Sequence, residues 1–231
     1  MNWSAAQIQA WESLALGPRW QMKNAARKQA DDTPTKASWE SLKQAVANCQ
    51  ACPLWQSRKQ TVFGSGTELG QWALVGEAPG AEEDLQGEAF VGMAGQLLDQ
   101  MLLAMGWNRS QDLFIANVLK CRPPGNRNPT PEEASACAGH LQAQLQWLRP
   151  KAILIMGRVA AQHLLGQDVS IASLRGKPQV LTINQGLQAF EVPALVTYHP
   201  AYLLRNLEDK AKAWEDLNLF AEILRQRQCL P

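Results

Sequence analysis

Trp72-Ala73-Leu74-Val75-Gly76-Glu77-Ala78-Pro79-Gly80-Ala81-Glu82-Glu83-Asp84 is an apolar, β-prone run that stops abruptly at a Gly-x-x-Pro-Gly turn. Such a run reads as a buried strand delivering its carboxyl end into a tight loop, the place where an open α/β sheet puts its ligands. Just downstream, Gly87 to Gly95 keeps the backbone glycine-rich around the single aromatic Phe90, and Gln96 to Leu103 then turns to helical spacing. A permissive backbone beside one flat ring suits a pocket that closes on a flat ligand.

Working outward, apolar strands at Trp72 to Val75, Leu113 to Val118, Ala152 to Met156 and Ala194 to Thr197 alternate with amphipathic helices. These helices lie around Trp39 to Ala47, Gly95 to Met105, Pro131 to Trp147, Val159 to Leu165 and Lys210 to Arg227, and an extended segment is expected near Thr61-Val62-Phe63. That order predicts an α/β fold, a mostly parallel sheet with helices on both faces. The 231 residues suffice to bury a substantial core without disulfides. The charge nearly balances, with 22 Lys and Arg against 21 Asp and Glu, so a polyanionic partner must be met by a local basic surface. With no charged-then-apolar leader and no apolar run near the roughly 20 residues of a membrane span, a soluble, cytosolic protein is expected.

Composition changes once. Trp3, Trp11 and Trp20 stand among polar and basic residues before the breaker cluster Asp31-Asp32-Thr33-Pro34-Thr35. Residues 1–37 are therefore expected to form an appendage and linker, with Ile8, Trp11, Leu14 and Ala15 on one helical face able to dock on another protein or on the chain's own domain, residues 38–231.

Cys49-Gln50-Ala51-Cys52 is a closely spaced pair, and Cys121 and Cys137 form a wider one. Four thiolates suit tetrahedral zinc or a four-iron, four-sulfur cluster, and spacing does not choose between them. The alternative for Cys121 and Cys137 is an ordinary buried thiol, and Cys229 is taken as that case, whereas the other four together read as a metal site.

Gly76-Glu77-Ala78-Pro79-Gly80, the turn Phe90-Val91-Gly92, Asn117 ahead of Lys120-Cys121-Arg122-Pro123-Pro124, and Tyr198-His199-Pro200-Ala201-Tyr202-Leu203-Leu204-Arg205-Asn206 together resemble the family-four, iron-sulfur uracil-DNA glycosylases. The match runs in order from about Cys49 to Leu217 and includes the four cysteines.

The resemblance implies a three-layer α/β/α domain that hydrolyses the N-glycosidic bond of uracil in single- or double-stranded DNA. It implies that Cys49, Cys52, Cys121 and Cys137 hold a 4Fe-4S cluster remote from the chemistry. His199 would hydrogen-bond the carbonyl beside the breaking bond, where negative charge grows on the departing base. The alternative for a lone histidine, packing inside a helix, fits His140 and His163 better. Asn117 would read the edge of the flipped base and Phe90 would stack on its face. Gly76, Glu77 and Ala78 would line the pocket floor, with Glu77 ordering water or supporting the sugar cation, or else capping its own loop. Leu203 and Leu204 would form the wedge that fills the vacated stack, and Arg122, Arg127, Arg175, Lys177 and Arg205 would meet phosphates.

Two features depart from the family. Ala89 stands where the family usually has proline before the stacking ring, which implies a looser grip on the base. The segment Trp11 to Trp20 has a short likeness to the peptide with which the psi subunit of bacterial replicative polymerase grips its clamp loader. A second expectation follows, a glycosylase-like fold serving as an adaptor to replication proteins.

Overall fold

A computed structural model describes residues 36–185 and 188–229. The tryptophan-bearing appendage, its linker and the psi-like segment lie outside the described residues. The unit described belongs to Pro34–Pro231.

Its centre is a six-stranded sheet of β1 (Ser65–Gly66), β2 (Trp72–Gly76), β3 (Leu113–Asn117), β4 (Ile153–Met156), β5 (Gln179–Gln185) and β6 (Gln188–Thr197), ordered β1-β3-β2-β4-β6-β5. Every residue of β2, β3 and β4 is buried, which is why these strands read as unbroken apolar runs. The four inner strands pair in parallel, as expected. The edges are antiparallel: β1 on β3, and β5 on β6 in a hairpin. The hairpin was not foreseen. Only Ala194 to Thr197 of β6 pairs with β4, and only that part carries the apolar signature of a strand inside a sheet. Thr61 to Phe63 forms no strand, although the Val62 N–H donates to the Lys120 carbonyl.

Alternate residues of each strand serve opposite faces. Ala73, Val75, Ile153 and Ile155 join one apolar cluster with Trp39 of α1 (Lys36–Ala47), Leu141 and Leu145 of α4 (Pro131–Leu148), and Ala160 and Ala161 of α5 (Arg158–Leu165). Trp72, Leu74, Leu154 and Met156 join the other with Leu98 and Leu102 of α3 (Met93–Ala104) and Leu217, Phe220 and Leu224 of α8 (Lys210–Gln226). Helices therefore cover both faces, giving three layers. The short helices α2 (Ala81–Gln86), α6 (Ile171–Leu174) and α7 (Pro200–Leu203) lie in the connections between the longer elements. Among the described residues, no helix is long and apolar enough to cross a membrane.

The chain leaves β2 for β3 on one side and leaves β4 for β6 on the other. Their carboxyl ends thus diverge, and a crevice opens where the connections part.

Candidate active site

A cleft of about 770 Å³ occupies that crevice. It is lined by Glu77 and Ala78 just beyond β2, by Asn117 at the end of β3, by Gly157 and Arg158 where β4 passes into α5, and by Tyr198 and His199 just beyond β6. Phe90 completes it from the loop before α3.

Gly76 brings two of these groups together. A Cβ there would stand 2.5 Å from Asn117 Oδ1 and 2.6 Å from Phe90 Cζ, so a hydrogen side chain is what lets amide and ring meet at the strand end. Asn117 is buried, and its Oδ1 has no hydrogen-bond partner among the described residues. A buried acceptor without a partner suits a ligand that brings the donor. Behind Asn117 lies Lys120, a fully buried lysine that sequence reasoning passed over. Its Nζ donates to the Asn117 carbonyl at 2.8 Å and to Gln144 Oε1 at 2.6 Å, and burial lowers its pKa to about 8.

Phe90 has φ of 56°, a left-handed conformation costing a non-glycine residue on the order of 1–2 kcal/mol. Its ring lies 5.4 Å from the His199 ring, tilted by 33°. Ala89, the residue in the family's proline position, is wholly buried.

His199 caps α7, its Nδ1 accepting the Ala201 N–H at 3.1 Å. A ring nitrogen that accepts carries no proton, so Nε2 bears the hydrogen in the neutral imidazole. Burial lowers the His199 pKa to about 4, with Glu83 opposing and Arg205 reinforcing that shift. The ring keeps part of its surface in the cleft while protein packs its other sides, and Gly157, at φ of 91°, allows that close approach. Tyr198 and Tyr202 stack 5.0 Å apart beside it, and Tyr202 is tied to Asp209 at 2.6 Å.

The Glu77 carbonyl accepts the Leu119 N–H at 3.0 Å, but its carboxylate has no hydrogen-bond or ion-pair partner among the described residues. Burial raises its pKa, partly offset by the Arg158 guanidinium. The capping role weighed for it belongs to Glu83, which sequence reasoning missed. Glu83 Oε2 accepts from Gly80 N, and Oε1 accepts from Val91 N and Gly92 N, each at 3.0 Å. The signal was present: a glutamate three residues after the glycine that starts a helix.

The four paired cysteines share one neighbourhood. Cys121 and Cys137 are buried, and Cys49 and Cys52 half-buried. Cys121 feels the charges of Cys52 and Cys49, and Cys137 those of Cys121 and Cys52. Two donors point at sulfur: Arg58 Nη1 on Cys121 Sγ at 3.1 Å and the Lys120 N–H on Cys137 Sγ at 3.3 Å. Burial pushes the Cys137 thiol up to about 11. Ala78 packs against the cluster of Leu54, Leu119, Cys121 and Cys137 and also lines the cleft. Among the described residues, no three His, Cys, Asp or Glu side chains converge as a single ion requires.

Two expected DNA contacts need correction. Leu203 is 1% exposed and packs with Tyr198 and Ala213, so it cannot enter a duplex, whereas Leu204 is 38% exposed. Arg175 is committed to the fold through two of its nitrogens: its Nε and Nη2 lie 3.0 Å from the two Asp216 oxygens, and Nη2 also meets the Lys212 carbonyl and Glu215. The Nη2 approach to Oδ1 is an ion pair without hydrogen-bond alignment. Arg127 lines the cleft but forks onto Glu133 at 2.6 and 2.8 Å, and Arg122 Nε donates to Asn126 at 2.7 Å. Arg158 and Arg205 line the cleft with no side-chain hydrogen bond or ion pair among the described residues.

A flat ring, an unpartnered amide acceptor, a neutral imidazole donor and an unpaired carboxylate in one cleft can hold a flat heterocycle and take up negative charge leaving it. Comparison with known proteins points the same way. Residues 63–218 match the model of the uracil DNA glycosylase superfamily. The type-4 uracil-DNA glycosylase of Archaeoglobus fulgidus is 37% identical over 83% of this chain and 96% of its own length. That of Thermotoga maritima is 41% identical over 75% of this chain and 86% of its own, and that of Sulfurisphaera tokodaii 39% identical over 80% and 84%.

Proposed function

The chain belongs to the uracil-DNA glycosylase superfamily, and from that premise we propose that it excises uracil from DNA by hydrolysis, leaving an abasic site. The extruded base stacks on Phe90, and Asn117 Oδ1 accepts its ring N–H. As the bond between C1′ and N1 breaks, its electron pair passes to the base, and His199 Nε2–H donates to the carbonyl oxygen where that charge gathers. Water adds its oxygen to C1′ and gives up a proton, which Glu77 accepts; the burial that raises its pKa makes it a better base. The observation that carries the reading is the Ala201 N–H on His199 Nδ1, which leaves the proton on the other nitrogen.

Cys49, Cys52, Cys121 and Cys137 fit a 4Fe-4S cluster better than zinc. Four grouped thiols with N–H donors aimed at two of the sulfurs suit a thiolate-held iron–sulfur cluster, whose sulfurs take such hydrogen bonds. Cys49, Cys52, Cys121 and Cys137 would hold such a cluster as thiolates, giving up their protons, and so would link the Cys49–Cys52 segment to the exit of β3 and to α4. Leu204 is the wedge, and Arg158, Arg205 and Arg122 meet the DNA backbone. Residues 38–231 form the catalytic domain, working in the cytosol, with 1–37 as an appendage. The adaptor alternative, with its clamp-loader partner, has no support in these matches.

A uracil-containing oligonucleotide tests the activity. Alkali-labile sites should form, and His199→Ala should slow them about a hundredfold or more; a variant as fast as the parent sinks the role of His199. The protein should be brown, absorbing broadly in the visible, and a colourless zinc protein would overturn the cluster.

A further inference from the structure

Phe90 stands in a left-handed conformation that its own side chain disfavours, so something else must hold it there. The carbonyls on either side of its Cα show what does. Arg109, in the loop between α3 and β3, sends Nη1 to the Phe90 carbonyl at 2.8 Å and Nη2 to the Ala89 carbonyl. Ser65 Oγ donates to the same Ala89 carbonyl at 3.1 Å and accepts from Arg109 Nη2 at 3.0 Å. Asp99 of α3 accepts from the same Nη1 at 2.8 Å and so helps to orient the guanidinium. Gly95 completes the seat, since a Cβ there would lie 1.9 Å from the Phe90 oxygen.

We infer that Arg109 is a positioning residue for the base-stacking ring: its guanidinium fork clamps the carbonyls of Ala89 and Phe90 and so fixes Phe90 against the face of the extruded base. The inference rests on the reading that Phe90 stacks on uracil. A fork that holds two carbonyls at once is something arginine does and lysine does not. The clamp also answers the expectation that Ala89, lacking proline's fixed φ, loosens the ring. Here the restraint comes from outside the chain segment rather than from within it.

The test is a double-mutant cycle on single-turnover uracil release, with parent, Phe90→Ala, Arg109→Lys and the double variant. Base–aromatic stacking sets the scale, so Phe90→Ala should slow release about tenfold or more and Arg109→Lys by a large part of that. If Arg109 acts through the ring, adding Arg109→Lys to Phe90→Ala should change the rate less than twofold. Fully additive losses would show that Arg109 supports the fold at large and overturn the inference. A Phe90→Ala enzyme as fast as the parent would instead overturn the stacking reading. Should Arg109→Lys fail to fold, Ser65→Ala, which removes one of the two donors to the Ala89 carbonyl, runs through the same cycle with the same criteria.

Discussion

At the residue scale, the chemistry turns on which nitrogen of His199 holds the proton, and one backbone N–H decides it. The Ala201 amide occupies Nδ1, and burial keeps the ring neutral, so the donor persists well below the usual imidazole range. Imidazole nitrogen NMR should therefore show a protonated Nε2 and a bare Nδ1, unchanged from pH 8 down to about 5.5. A ring that titrates near its ordinary 6.5 would sink this assignment. The sign for stability follows. The unfolded imidazole takes a proton near 6.5 and the folded one only near 4, so this site weakens the fold as pH falls through that window and costs nothing above it.

Elements matter through their ends. Helix α2 begins at Gly80, and its Glu83 accepts the N–H of Gly80 together with those of Val91 and Gly92 across the pocket. One carboxylate thus joins the strand-end loop to the loop bearing Phe90. Arg109 holds the carbonyls of that second loop, so one charge takes the N–H groups and the other the carbonyls of the same short backbone. Glu83→Ala strands three N–H groups near the cleft and should lower stability by about 3 kcal/mol, read by urea unfolding. Glu83→Gln keeps an acceptor for Val91 and Gly92 and should recover part of the loss. Equal losses for both variants would show that the acceptor is not what matters.

For the whole molecule, the approach of β6 to the cleft is braced from α8. Asp216 accepts from Thr197 Oγ1 at 2.9 Å, two residues before His199, and Arg175 pairs with the same carboxylate while lying 5.7 Å from the Tyr198 ring. Removing one partner of a buried pair leaves the other uncompensated. Arg175→Ala should therefore lower the stability of the folded chain by about 3 kcal/mol while leaving the salt dependence of DNA binding unchanged, because the Arg175 charge is already paired with Asp216 and Glu215. A reduced salt slope with an undisturbed thermal midpoint would return Arg175 to the DNA surface.

The sequence by itself determined the parallel core and the place of the cleft. Strands buried on both faces must be apolar throughout, and a strand that ends at Gly76 beside a glycine-rich loop marks a ligand site whatever surrounds it. Motif likeness added the candidate roles of His199, Asn117 and Phe90. Only the tertiary structure decided which charges are spent and which remain available. Arg175 and Leu203 read as surface groups because nothing local betrays a partner 41 residues away or a buried cluster across the fold. Lys120, Glu83 and Arg109 escaped notice for the converse reason. Each has a partner on another segment, Lys120 at Gln144, Glu83 at Val91 and Gly92, and Arg109 at Ala89 and Phe90. Such bonds depend on where the chain returns in space rather than on which residue type stands in line.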